Sequence, residues 1–377
     1  MRKLIHSYIA VLVVCAMLFG LSTCTLAERS SGEEQLVQAT VIEIEKYGHA
    51  VLNLTTTEFC AAGYALGDVV RVRVGSFESD MPFFDGYYTN PGSMLLRGLA
   101  PAKNIAICIN YGDFSKETGI TPGDPVEITM AEKAGMLAYQ ELCALTYSND
   151  RADYTDDAVF ANFRAVNVGA IGNGNLYRSA SPINNEHGRA SYANAFIEAA
   201  GVATVLNLAD SDKDIAQYCA AEDFDSAYYL SLYEAGKVKA LDLAGNFFSD
   251  SFAASLVDGF RFLAQNDPPY SIHCTEGKDR AGFSLMLLES LMGAQLQEII
   301  DDYMLSFYNY YGIDKETEPA RYDAVLNTNL IAMLYHVTGV DSMEALEKIN
   351  LESAVTSYLL DHGMTDSDIH TLKDKLR

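Results

Sequence analysis

The chain has 377 residues, 49% of them hydrophobic and 20% charged, with a formal net charge of −25. This composition excludes a disordered chain and supplies enough apolar material for two domains. So negative a chain binds neither nucleic acid nor an anionic membrane without a local basic patch.

Arg2 and Lys3 open the chain, an apolar run follows over residues 9–20, and Thr25-Leu26-Ala27 offers small residues for cleavage. This pattern predicts a signal peptide over residues 1–27, with an apolar core too short to span a bilayer comfortably. The mature chain is then secreted or held at the cell envelope, with no stable membrane insertion after the signal is removed. An uncleaved anchor and lipidation at Cys24 are the alternatives. Of seven cysteines, Cys15 and Cys24 fall within or beside this segment. The remaining Cys60, Cys108, Cys143, Cys219 and Cys274 are odd in number and too sparse for a disulfide framework.

Residues 36–147 read as a small β-rich accessory domain. Residues 37–44 and 103–109 are strand candidates, and residues 68–74 alternate clearly, which gives a strand with one wet face. Gly48, Gly63, Gly67, Gly75, Gly92 and Gly123 mark turns, so a small barrel or sandwich is expected. The segment Val41 through Gly48 resembles a strand and turn in the small barrel domain of bacterial adenosyl-hydroxide transferases, over too few residues to imply a function. Residues 131–145 read as helical, and the acidic residues 146–155 as a linker.

From residue 155 to 377 helix-like and strand-like segments alternate, which indicates an α/β fold. A helix is expected over residues 191–200 with Gly201 at its end, then a buried strand over 202–208. Ser211 and Asp214 have capping-box spacing, and Asp210, Asp212 and Asp214 are read as capping and solvating residues. Ser249 or Asp250 caps a helix that Pro268 and Pro269 stop. Residues 270–272 form a short strand, and everything from Phe283 onward looks helical.

The informative stretch is His273-Cys274-Thr275-Glu276-Gly277-Lys278-Asp279-Arg280-Ala281-Gly282, with an apolar strand before it and an apolar helix after it. A strand-to-helix turn aims backbone amides at the helix N-terminus, where the dipole favours negative charge, and so makes a phosphate site. The same field favours an ionised sulfur on Cys274. Arg280 supplies a planar fork that binds two phosphate oxygens and tightens as charge spreads in the transition state. Gly277 and Gly282 allow a tight turn and close approach.

His-Cys-X5-Arg is the signature loop of the protein tyrosine phosphatase superfamily. The fuller His273 to Arg280 sequence resembles that of the exported bacterial tyrosine/serine phosphatases, a dual-specificity group with some phosphoinositide-active members. Leu176-Tyr177-Arg178-Ser179-Ala180 resembles the arginine-serine motif that opens their catalytic domain, and Asp302-Tyr303-Met304-Leu305-Ser306 resembles their downstream helix. The resemblance implies a sheet flanked by helices, with Cys274 as nucleophile, Arg280 as phosphate ligand and Asp279 as general acid or base. It implies that Thr275, Glu276, Gly277, Lys278 and Ala281 border the phosphate, with Lys278 adding charge for polyanionic substrates, and that His273 orients the loop and helps hold the thiolate. Arg178 is read as a structural hydrogen-bond donor. No metal or cofactor is implied, and the partner is a phosphorylated protein or a phosphoinositide. The chain lacks tryptophan, so it has no Trp-Pro-Asp acid loop. Two positions depart from the pattern. Ala281 stands where a hydroxyl residue follows the arginine, and Ala209-Asp210 stands where relatives tend to carry an arginine.

Three functions compete. The first is a phosphatase of broad specificity acting through a phospho-cysteine, with inositol polyphosphates as a further substrate class. The second is a weakly active phosphate-binding module, which Ala281 and the missing arginine motivate. The third is sulfur transfer by a rhodanese-like loop, against which the position of Arg280 argues.

Overall fold

The computed structural model describes residues 36–89 and 92–377. The expected signal peptide over 1–27 and Cys24 lie outside the described residues. Seven strands form a closed barrel: β1 (Val37–Ile44), β2 (Ala50–Thr55), β3 (Val69–Val74), β4 (Phe77–Phe84), β5 (Met94–Arg97), β6 (Asn104–Ile109) and β7 (Pro125–Glu132). Their order is β1-β2-β6-β5-β4-β3-β7, and β7 closes the ring on β1 with Val37 opposite Ile128. Closure removes the exposed edges that a sandwich would leave. In β3 the alternation is as expected. Val70, Val72 and Val74 are buried, while Arg71 and Arg73 face out, directly opposite Asp80 and Glu78 of β4. All six expected turn glycines have positive φ.

The expected helix over residues 131–145 is corrected. Strand β7 runs to Glu132, and only Leu137–Cys143 is helical. The buried Asp68 carboxylate fixes the intervening turn, accepting from the Ala134 amide at 2.8 Å and from Lys133 at 2.8 Å.

A five-stranded sheet follows, with β8 (Arg164–Ala165), β9 (Leu176–Ser179), β10 (Thr204–Asn207), β11 (Val238–Ala240) and β12 (Tyr270–His273) in the order β11-β10-β12-β9-β8. Only β8 runs antiparallel to its neighbour. Every residue of β10 and β12 is buried, as expected for central parallel strands covered on both faces. The helix Asp279–Leu291 is buried from Ala281 to its end, within the main apolar cluster. Ser249 caps the helix Asp250–Gln265, and Ser211 with Asp214 forms the expected capping box.

The segment read as a linker, residues 146–155, is not free chain. Arg189 is 2% exposed and needs acceptors there. It donates to the Ser148 carbonyl at 3.0 Å and to the Tyr154 hydroxyl at 2.7 Å, and its guanidinium lies 4.8 Å from the Tyr154 ring centre. Among the described residues no helix is long and apolar enough to cross a membrane. Cys60, Cys108, Cys143, Cys219 and Cys274 are all free thiols.

Candidate active site

Strand β12 lies between β10 and β9, with Ile272 opposite Leu206 on one side and Arg178 on the other. It ends at the carboxyl edge of the sheet, where ligands bind in open α/β folds. The chain then turns through residues 274–278 into the helix Asp279–Leu291. Gly277 has φ +68°, and a Cβ there would sit 2.0 Å from the Ser179 carbonyl oxygen on β9. Both conformation and space demand glycine. Gly277→Ala is therefore expected to cost at least about 1–2 kcal/mol and to displace the loop. A lowered melting temperature together with about tenfold slower turnover is the expected result. Wild-type values for both would contradict the close approach.

The loop is held from outside by its carbonyls. That of Thr275 accepts from the Ser181 amide at 3.0 Å. That of Glu276 accepts from Tyr310 at 2.7 Å and Asn162 at 3.2 Å. That of Gly277 accepts from Arg178 at 2.8 Å and Asn162 at 3.2 Å. Among the described residues, none of the amides from Thr275 to Ala281 is bound to an acceptor. Carbonyls facing outward leave the amides facing the other way, at the N-terminus of a thirteen-residue helix. That is the arrangement of an anion cradle.

Arg280 donates to the Leu243 carbonyl at 2.9 Å and to the Thr275 hydroxyl at 3.0 Å, so its guanidinium is fixed across the loop. Thr275 thus holds the arginine with its side chain. Cys274 is 3% exposed and belongs to the main apolar cluster, so access to its sulfur is narrow. Lys278 is engaged within the protein. Its ammonium pairs with Asp279 at 2.9 Å and Glu276 at 3.4 Å and lies 4.9 Å from the Phe307 ring centre. Burial opposes its charge, but Asp279 and Glu276 outweigh burial and hold it well above its ordinary value. The Glu276 carboxylate accepts from the Tyr147 hydroxyl. Ala281 is wholly buried, so its side chain reaches no substrate. Asp279 remains partly exposed in the first helical turn.

His273 lies with Nδ1 3.3 Å from the Cys274 carbonyl, which only a ring N–H can satisfy. Burial pulls its imidazole down to about 3, and the nearby Arg280 charge adds to the fall. It is neutral, so it positions the loop backbone and lends the sulfur no positive charge. Asp210 also departs from its expected capping role. It is buried, accepts from Asn207 at 3.0 Å and Tyr218 at 3.4 Å, and faces the field of Arg280. Burial raises its carboxyl above the usual range.

Behind the loop sits a buried charge network that sequence reasoning did not assemble. Arg178, as expected, is a structural donor, and it pairs with Asp302. Arg164 pairs with Asp302 at 2.8 Å and donates to Ser306 at 3.1 Å. Burial alone would raise the Asp302 carboxyl, but the Arg164 and Arg178 guanidiniums hold it well below the usual carboxylate range. Glu289, fully buried and next to Asp302, is pushed above it by burial and by that charge. Asn162 ties the network to the loop, because its amide also reaches Ser306 at 3.2 Å. The resemblances of Leu176 to Ala180 and of Asp302 to Ser306 to family motifs are the sequence signals that pointed here.

No curated protein matches the chain. Among solved structures, an uncharacterized conserved protein from Thermotoga maritima matches at 28% identity over 26% of this chain and 37% of its own, with a TM-score of 0.24. A conserved hypothetical protein from Thermus thermophilus matches at 19% identity over 26% and 36%, with a TM-score of 0.20. The chain thus spans little more than a third of either protein, and neither likeness bears on fold or site. The sequence profile of the tyrosine phosphatase family matches residues 160–377, more than half of the chain and all of the cysteine loop with its supporting network. The chain belongs to the tyrosine phosphatase family.

Proposed function

We propose that this phosphatase hydrolyses phosphate monoesters through a phospho-cysteine on Cys274. The observation that carries the reading is the loop after Cys274, whose carbonyls are bound from outside while its amides stay unbound and an arginine is fixed across it by Thr275. The Cys274 sulfur attacks phosphorus, the ester P–O bond breaks, and the leaving oxygen takes a proton from Asp279. Water then attacks phosphorus, the S–P bond breaks, and inorganic phosphate leaves. Arg280 and the amides hold the equatorial oxygens throughout.

The substrates are phosphotyrosine first, then phosphoserine or phosphothreonine and phosphoinositides. Lys278, spent on Asp279 and Glu276, adds little attraction for polyanions, so inositol polyphosphates rank last. The protein acts outside the cytoplasm once its signal segment is removed. Asp210 is a second reading of the proton donor, favoured by its burial, its raised carboxyl and its position facing Arg280.

The test is acid quenching of the purified chain turning over a phosphate-labelled phosphotyrosine peptide. One phosphoryl group on Cys274 is expected, and steady turnover with no phospho-cysteine at any time would sink the mechanism. A burst of product equal to enzyme, followed by near silence, would instead identify a binding module that Ala281 has stalled. Comparing aryl phosphates of rising leaving-group pKa separates the acids. The variant that removes the donor, Asp279→Asn or Asp210→Asn, slows only the poor leaving groups.

A further inference from the structure

The barrel carries a hollow of about 1010 Å³ that the phosphatase chemistry does not use, bordered by Tyr47, His49, Tyr87, Asn110, Tyr111 and Asp113. It lies between the turn joining β1 to β2, the chain after β6, and Tyr87. Four tyrosines stand well exposed among the described residues, and three of them border this hollow: Tyr47 at 67%, Tyr87 at 41% and Tyr111 at 92%. Single exposed aromatics need no explanation, but three around one concavity do. Tyr111 is held outward by a backbone φ of +53°. A tyrosine adopts that left-handed conformation at a cost of about 1–2 kcal/mol.

The wall beneath is built rather than incidental. Arg97, whose side chain is 8% exposed, pairs with Glu45 at 3.0 Å, donates to the Tyr87 hydroxyl and stacks 5.4 Å from the Tyr87 ring centre. Tyr87 is thereby fixed from below. His49 is buried, its Nδ1 has no hydrogen-bond partner, and its ring lies 5.6 Å from that of Tyr87. Burial, and then the Arg97 charge, lowers its imidazole, so it is uncharged at neutral pH. Arg97 is paired with Glu45, and the rim carries one cation, Lys46, which lies 5.2 Å from the Tyr47 ring centre, and one carboxylate, Asp113. The hollow is therefore aromatic and close to neutral in a chain of formal charge −25. Its volume lies at the upper end of ligand sites, about 300–1,000 Å³, which suits more than one ring.

We propose that this hollow binds a neutral ligand of several rings, with flat apolar faces that stack on the tyrosines and hydroxylated edges that reach Asn110 and His49. Oligosaccharides and nucleosides share that chemistry. Isothermal titration of the full chain with maltotetraose and cellotetraose in one arm, and adenosine and uridine in the other, tests it. One arm is expected to bind with Kd below about 1 mM, and the arm that binds names the source. The double variant Tyr47→Ala/Tyr111→Ala is expected to weaken that binding at least about tenfold, while Tyr47→Phe/Tyr111→Phe retains it. Aryl phosphate turnover stays at the wild-type rate in both variants, so a failure here is distinct from a failure of the cysteine mechanism. Binding in neither arm below about 10 mM, undiminished binding by the alanine variant, or tighter binding of adenosine monophosphate than of adenosine overturns the proposal.

Discussion

Cys274→Ser is expected to lower aryl phosphate turnover at least about a thousandfold while shifting stability by no more than about 1 kcal/mol. The substitution removes the sulfur nucleophile and puts in its place a hydroxyl, which is the weaker nucleophile toward phosphorus. Nothing else in the cradle changes. The carbonyls of Thr275, Glu276 and Gly277 keep their outside donors, and Arg280 keeps Thr275 and Leu243. The variant should therefore still bind inorganic phosphate, seen as a rise in melting temperature when phosphate is added. Loss of turnover with retained phosphate binding separates a chemical role for the sulfur from a packing role. Turnover at the wild-type rate would exclude Cys274 as nucleophile.

Asp302→Ala is expected to destabilise the protein by about 3–5 kcal/mol, among the largest losses a single substitution produces. Arg164 and Arg178 have side chains 13% and 1% exposed, and Asp302 is the carboxylate they share. Removing it leaves two guanidiniums facing each other inside the fold. The damage should also reach the chemistry, because Arg178 is a donor to the Gly277 carbonyl. Thermal unfolding should shift down by roughly 10 °C, with turnover impaired below the transition. Asp302→Asn keeps the shape and one acceptor, so it should fall between. An Asp302→Ala protein that melts with the wild type would show that solvent, not Asp302, satisfies the two arginines.

What was legible in the sequence was what is local along the chain. The cysteine motif is eight consecutive residues, His273 to Arg280, that run from the end of a strand into the first turn of a helix, so its spacing alone stated its geometry. Strand β1 was read over its full length despite imperfect alternation, and β3 to within one residue, because in β3 the period-two pattern of the sequence is the burial pattern itself. What was not legible depends on residues that only folding brings together. Tyr147 meets Glu276 across 129 positions, and Arg164 meets Asp302 across 138. Asp210 sits in a sequence that reads as helix capping, and only the approach of Tyr218 and Arg280 reveals a buried carboxyl. The helix expected over 131–145 failed because one buried side chain, Asp68, captured the turn. The choice of a barrel over a sandwich rests on the pairing of β1 with β7, which no local pattern encodes.

The clasp between Tyr147 and Glu276 bears on how this enzyme can be dissected. The family match begins at residue 160, and a catalytic fragment trimmed to that boundary would shed Tyr147 together with the Ser148 and Tyr154 groups that Arg189 uses. Glu276 would then answer to Lys278 alone, and the interior Arg189 guanidinium would keep only the Phe160 carbonyl of its three acceptors. A fragment meant to report the native loop should start before Tyr147, because the strap leaving the barrel is part of that loop's own scaffolding.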